Sequence, residues 1–165
     1  MEKIAFGTCD GTGAAINVCL GFKPSYVKVW NLEDTTDLPE VEWHKSMAPV
    51  SSAAYGILKK TVAGVVMSDL AAGGISHYAG GDVLTYDADD GRWETSAAAD
   101  ASEAYVDGYY NRDAATDAAY RCFGEAVHGA TPLDGMKVTT TEGFTIGTDA
   151  DLNVNGQQIV WMAYR

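Results

Sequence analysis

Tyr26-Val27-Lys28-Val29-Trp30-Asn31-Leu32 is the stretch on which the fold turns. Val27 and Val29 share one side of a two-residue alternation, with Tyr26, Lys28, Trp30 and Leu32 on the other. That is the pattern of a strand with one buried face. Its β-branched and aromatic residues suit a pleated surface. Upstream, Ile16, Val18 and Leu20 alternate with Ala15, Asn17 and Cys19 until Gly21, and Lys23-Pro24-Ser25 is turn chemistry. The two runs are expected to be neighbouring strands. Downstream, Glu33 to Glu40 is a polar loop carrying Pro39, and Val41 to His44 reads as a short strand leaving it.

The C-terminus returns to the same period. Lys137 to Thr141, Gly143 to Ile146 and Gln157 to Tyr164 are extended candidates, and in the last Ile159, Trp161 and Ala163 alternate with Val160, Met162 and Tyr164. Asn155-Gly156 follows Leu152-Asn153-Val154, and an Asn-Gly pair between extended runs predicts a hairpin with a type I′ turn. Between the terminal blocks, the run from Thr61 to Met67 predicts one strand. Gly73-Gly74 and Gly80-Gly81 bracket a short extended piece, Ile75 to Tyr78.

Residues 87 to 131 differ, being rich in Ala, Asp and Tyr and poor in branched aliphatics. Ala115, Ala118, Ala119, Cys122, Phe123 and Ala126 recur at helical spacing, with Asp113 as an N-cap and Gly129 as a stop, which suits a short amphipathic helix. A long excursion packed by Tyr105, Tyr109, Tyr110 and Tyr120 fits equally well, because a stripe of alanines buries little area. The expectation is one mainly β domain over residues 1–165, a β-sandwich or jelly-roll with this central excursion.

The bulk composition narrows the function. A chain of 165 residues with 47% hydrophobic and 21% charged side chains supports a core without a metal or disulfide staple. Its formal net charge of -12 repels phosphate backbones, so no nucleic-acid partner is expected. Residues 82 to 151 hold 15 acids against Arg92, Arg112, Arg121 and Lys137, and should face solvent. With no long apolar run and no basic-then-apolar start, neither membrane association nor export by a standard signal is expected. Cys9, Cys19 and Cys122 form no paired framework and read as reduced structural thiols.

Motifs for catalysis or ligand binding are weak. Gly7 to Gly13 is glycine-rich but lacks the Gly-Lys-Ser/Thr ending of a phosphate loop, and reads as a flexible loop between strands. Asp149, Asp151, Asn153 and Asn155 alternate before Gly156 like a calcium loop, yet Met162 stands where the bidentate Glu belongs. A turn explains the pattern, and Asp87 to Gly91 is likewise an acidic turn. Ser76-His77 lacks the second glycine of a nucleophile elbow, and His44, His77 and His128 have no ligand spacing. A glycan hydrolase would need a carboxylate pair from Asp87, Asp89, Asp90 and Glu94 in a cleft that this loop does not suggest. No enzyme, cofactor or metal is expected.

Two segments carry a resemblance. Gly21-Phe-Lys-Pro-Ser-Tyr-Val-Lys-Val-Trp-Asn31, continuing to Glu42-Trp-His-Lys-Ser-Met47, resembles the N-terminal part of a group of tailed-bacteriophage virion proteins. Gly143-Phe-Thr-Ile-Gly-Thr-Asp-Ala-Asp-Leu-Asn-Val-Asn-Gly156 with Ile159-Val-Trp-Met162 resembles their closing segment. Together they cover roughly a third of the chain, and residues 87 to 131 have no counterpart. The group comprises capsid decoration, head-fibre and minor structural proteins. The resemblance implies a decoration protein on the outside of the head, made in the host cytoplasm and bound to the major capsid protein. By analogy it implies a homotrimer. A tail-fibre or receptor-binding domain that stacks a host glycan on exposed Tyr and Trp is the alternative. Trp30, Trp43 and Trp161 are the aromatic anchors, for an interface or for the core, with core packing the commoner fate.

Overall fold

A computed structural model describes residues 3–61, 64–87, 92–95, 104–105, 110–113, 118–122, 133 and 135–165. Their architecture is mainly β. The strands are β1 (Ile4–Asp10), β2 (Ile16–Cys19), β3 (Tyr26–Asn31), β4 (Glu40–His44), β5 (Ile57–Lys60), β6 (Val66–Asp69), β7 (Ile75–Tyr78) and β8 (Val83–Asp87). They continue with β9 (Arg92–Thr95), β10 (Ala104–Tyr105), β11 (Tyr110–Asp113), β12 (Ala118–Cys122), β13 (Lys137–Thr139), β14 (Gly143–Ile146) and β15 (Gln158–Tyr164). Among the described residues one 3-10 turn, Lys45–Met47, follows β4.

Six strands form sheet A in the order β1-β15-β3-β4-β5-β6, all antiparallel. Sheet B runs β10-β11-β12-β2-β14-β7, and its β12–β2 pair is parallel. A three-stranded sheet, β13-β8-β9, completes the set. Sheets A and B face each other across one apolar core. Val27, Val29, Val41, Trp43, Ile159 and Trp161 come from sheet A, and Ile16, Val18, Ile75, Phe144 and Ile146 from sheet B. Trp161 meets Phe144 edge-on at 5.4 Å between ring centroids, and Trp43 meets His77 at 4.8 Å, so two tryptophans hold the layers together. This is a β-sandwich, as the alternating runs imply.

Several local expectations change. β2 and β3 are not neighbours. The chain leaves sheet B at Leu20 and Gly21, whose amides both donate to the Glu142 carbonyl, and enters sheet A at Ser25, whose amide donates to Tyr164. The Pro24 carbonyl sits 2.9 Å from His77 Nε2, which ties this crossing to β7. Alternation identifies a strand, but pairing is decided by residues more than a hundred positions away in β14 and β15. Gly7 to Asp10, the first part of the stretch read as a loop over residues 7 to 13, instead belong to β1 (Ile4–Asp10), the longest edge strand among the described residues. Gly7 belongs there because a Cβ at that position would lie 2.2 Å from Trp161 Cζ2. The single strand expected over 61 to 67 begins only at Val66, as β6, and pairs with a second strand, β5, that ends just before the run.

The helix expected behind Asp113 is overturned over residues 118 to 122, which form β12 and pair with β2, while Asp113 itself ends β11. Pairing with a buried strand outweighs weak helical spacing built on alanine. The rest of that run, 114 to 117 and 123 to 129, lies outside the described residues. Asp87 and Arg92 are register partners at the end of the β8–β9 hairpin, and 88 to 91 also lie outside.

The type I′ hairpin at Asn155-Gly156 is also corrected. Residues 152 to 154 are not a strand, and of the two turn residues Gly156 alone has positive φ, +80°. With Gln157 N donating to the Val154 carbonyl at 3.1 Å, the turn has type II character. The reason is Asn153. It is buried, and its side chain makes four hydrogen bonds: Oδ1 accepts from Thr12 N (2.9 Å) and Gly13 N (3.3 Å), while Nδ2 donates to Ala14 O (2.5 Å) and Gly147 O (2.8 Å). The segment is thereby committed to holding the β1–β2 connection and cannot extend β15 backwards.

Candidate functional site

The side of sheet A turned away from the core is unusually apolar. Register places its side chains in rows across the strands. One row runs Ile4, Tyr164, Tyr26 and His44. The next runs Phe6, Met162, Lys28, Glu42, Ile57 and Asp69, and the third Thr8, Val160, Trp30, Glu40, Lys59 and Met67. Ile4 is 52% exposed, Phe6 67% and Met67 64%, while Tyr26, Trp30, Met162 and Tyr164 are half-buried by one another. Tyr26 and Tyr164 are tilted neighbours at 5.7 Å. An antiparallel sheet with one solvated face ordinarily shows polar residues there, so this face departs from the rule along both flanks.

Its middle is ionic and locally neutral. Lys28 Nζ lies 3.2 Å from Glu40 and 2.8 Å from Glu42, and Lys59 Nζ lies 2.8 Å from Glu40. Two ammonium groups thus balance two carboxylates in a chain whose net charge is -12. Burial alone would raise the Glu40 carboxyl, but hydrogen bonds from Lys59 and Lys28 outweigh it and hold Glu40 below the usual carboxylate range. Burial opposes the Lys28 ammonium in the same way, and its bonds to Glu42 and Glu40 win, holding it above the usual lysine range. Lys28 also sits 5.2 Å from the Trp30 ring centroid, a cation–π contact. Beside the ladder, Glu40, Glu42, Ile57, Lys59 and Met67 line an open depression of about 330 Å³.

The three tryptophans separate. Trp43 and Trp161 are each 1% exposed and belong to the core, Trp43 with its Nε1 donating to the Ala54 carbonyl at 3.0 Å. Trp30, for which core packing was the expectation, stands on the outer face instead. Val27 and Val29 take the inward positions of β3, and the pleat sends Trp30 the other way. Alternation in the sequence already put Trp30 opposite those valines. Ile4 and Phe6 were missed, because Gly7 hides the strand pattern in which Ile4, Phe6 and Thr8 alternate with Ala5 and Cys9.

The other motifs are dispersed. Asp149 Oδ1 accepts from the amides of Asp151 and Leu152, Asp151 pairs with Lys60, and Asn153 turns inward, so the alternating oxygens serve the turn and do not converge. Among the described residues no group of three or more His, Cys, Asp or Glu is placed to hold a metal ion. Ser76 and His77 are successive residues of β7, and His44 is exposed beside Ser46. Cys9 and Cys19 are buried. His128, Asp89 and Asp90 lie outside the described residues, as do the side chains of Cys122, Asp87 and Glu94. No helix among the described residues is long and apolar enough to cross a membrane. No protein family, curated protein or solved structure matches this chain.

Proposed function

We propose that the protein is a structural virion component, a decoration protein on the outside of a tailed-phage head, which docks on the major capsid protein through the outer face of sheet A. The reading is carried by that face: aromatic and Met side chains surround a neutral ion ladder on an otherwise strongly acidic chain. Interface centres are enriched in Tyr, Trp, Phe and Met and poor in uncompensated charge. A locally neutral platform also lets another protein approach where the rest of this surface would repel an acidic one. The two segments that carry the phage resemblance supply β3 with β4 and β14 with β15, and β15 pairs directly with β3. Both therefore contribute to one scaffold, which suits a rigid cap on a shell.

Trp30→Ala tests it. Binding of the purified protein to capsids lacking it should weaken about 30-fold or more, the loss of a hot-spot residue of about 2 kcal/mol, with melting behaviour retained. Unchanged capsid affinity would remove the outer face from the reading. Tyr26, Tyr164 and Trp30 on one open face also favour a second reading, a host-glycan platform of the tail-fibre kind. Saturable quenching of tryptophan fluorescence by sugars, with no binding to capsids, would replace the first reading with that one.

A further inference from the structure

We infer that sheet A continues from one copy of this chain into the next, with β6 of one copy pairing antiparallel to β1 of another. Both edges of the sheet are built for it. In β1, the Lys3 carbonyl accepts from Arg165 N and the Gly11 amide donates to Gln157 O, so the odd-numbered residues bond to β15. The backbone groups of Ile4, Phe6 and Thr8 therefore point away from β15, where no described strand pairs with them. In β6, the Leu70 amide donates to Gly56 O, so the even-numbered residues face β5 and Met67 and Asp69 point to the open edge.

Native sheets guard such edges with Lys, Pro, bulges or very short strands. Here β1 is seven residues long, and its open positions carry Ile4 and Phe6. β6 is exposed along its whole length, and Val65 and Met67 are 65% and 64% exposed.

The two edges match each other. Five successive antiparallel pairings set β1 and β6 in opposite directions, so a second copy placed beside the first continues the antiparallel order. On both strands the residues with open backbone groups are also those on the outer face, which is the parity that hydrogen-bonded pairing requires. Setting Phe6 opposite Met67 puts Ile4 opposite Asp69 and Thr8 opposite Val65, and joins an aromatic ring to a thioether. A symmetric β1–β1 pair would satisfy the same parity but leave Val65, Val66 and Met67 in water. The head-to-tail arrangement covers both apolar edges with one contact, and closes as a ring or runs on as a filament according to the rotation between copies.

Sedimentation velocity of the purified full-length chain tests this without any capsid, so its outcome is separate from that of the docking proposal. The wild type should sediment as an oligomer. Phe6→Lys and Met67→Lys, both at exposed sites, should each sediment as a folded monomer. An equimolar mixture of the two should give a heterodimer, since one variant keeps an intact β6 and the other an intact β1. A monomeric wild type, either variant keeping the wild-type oligomer, or a mixture that stays monomeric would each overturn the inference. Hydrogen exchange on the wild type alone gives a second reading. Amides of Phe6, Thr8 and Met67 should gain protection as protein concentration rises, and concentration-independent exchange at all three would also overturn it.

Discussion

Gly7→Ala should be destabilising because of one neighbour, Trp161. A methyl group at Gly7 would stand 2.2 Å from Cζ2, 2.7 Å from Cε2 and 3.0 Å from Cη2 of the indole. Carbon atoms rest at about 3.5–4.0 Å, so the ring must retreat by more than about 1 Å. It has little room, since Phe144 packs against it and it is 1% exposed. Overpacking of this kind costs about 1–3 kcal/mol, partly offset by the ~0.5–1 kcal/mol that alanine gains over glycine through a less flexible unfolded chain. For a chain of this length that lowers the melting temperature by a few degrees. Trp161→Leu, which leaves a cavity and costs about 3 kcal/mol by itself, removes the obstructing ring. In that background Gly7→Ala should become neutral or favourable, giving a coupling of about 1–3 kcal/mol in urea denaturation of the four proteins. Equal costs of Gly7→Ala in both backgrounds would show that the close approach of β1 to Trp161 does not exist.

The Asn153 staple makes a pH-dependent forecast. Asn153→Asp keeps the shape and the two accepting contacts but turns an oxygen toward Ala14 O and Gly147 O, costing about 2–4 kcal/mol at neutral pH. Because burial and those carbonyls disfavour the carboxylate, its folded pKa is raised, and part of the loss against wild type should return as pH falls toward about 4. A deficit that is constant with pH would count against the geometry. The ion ladder behaves oppositely. With the folded pKa of Glu40 depressed, its contribution is present above the unfolded carboxylate value and fades as pH drops through the folded one. With Lys28 raised, its share is complete below the unfolded lysine value and fades as pH rises through the folded one. Glu40→Gln should therefore flatten the acid side of the melting-temperature profile, by no more than about 1 kcal/mol per pair; an unchanged acid limb would remove the ladder from the stability of the sheet.

How far the sequence speaks depends on the range of the interaction involved. Period-two alternation in Tyr26–Leu32 and Gln157–Tyr164 is a local property, and it determined that these are strands, that Val27 and Val29 share a face, and that Trp161 shares one with Ile159; which face is buried was decided by the packing of sheet A on sheet B. Alternation also placed Trp30 opposite Val27 and Val29. Composition determined that a core exists and that the surface is acidic. The association of β2 with β14 instead of β3, the conversion of residues 118 to 122 from an expected helix into β12, and the rerouting of Asn155-Gly156 by Asn153 all depend on contacts between residues more than a hundred positions apart. Local spacing cannot encode them, because the free energy that selects one pairing over another resides in the partner strand. The candidate face shares that origin. Ile4, Phe6, Trp30 and Met67 are scattered through the first seventy residues, and they become one surface through the order in which sheet A assembles its strands.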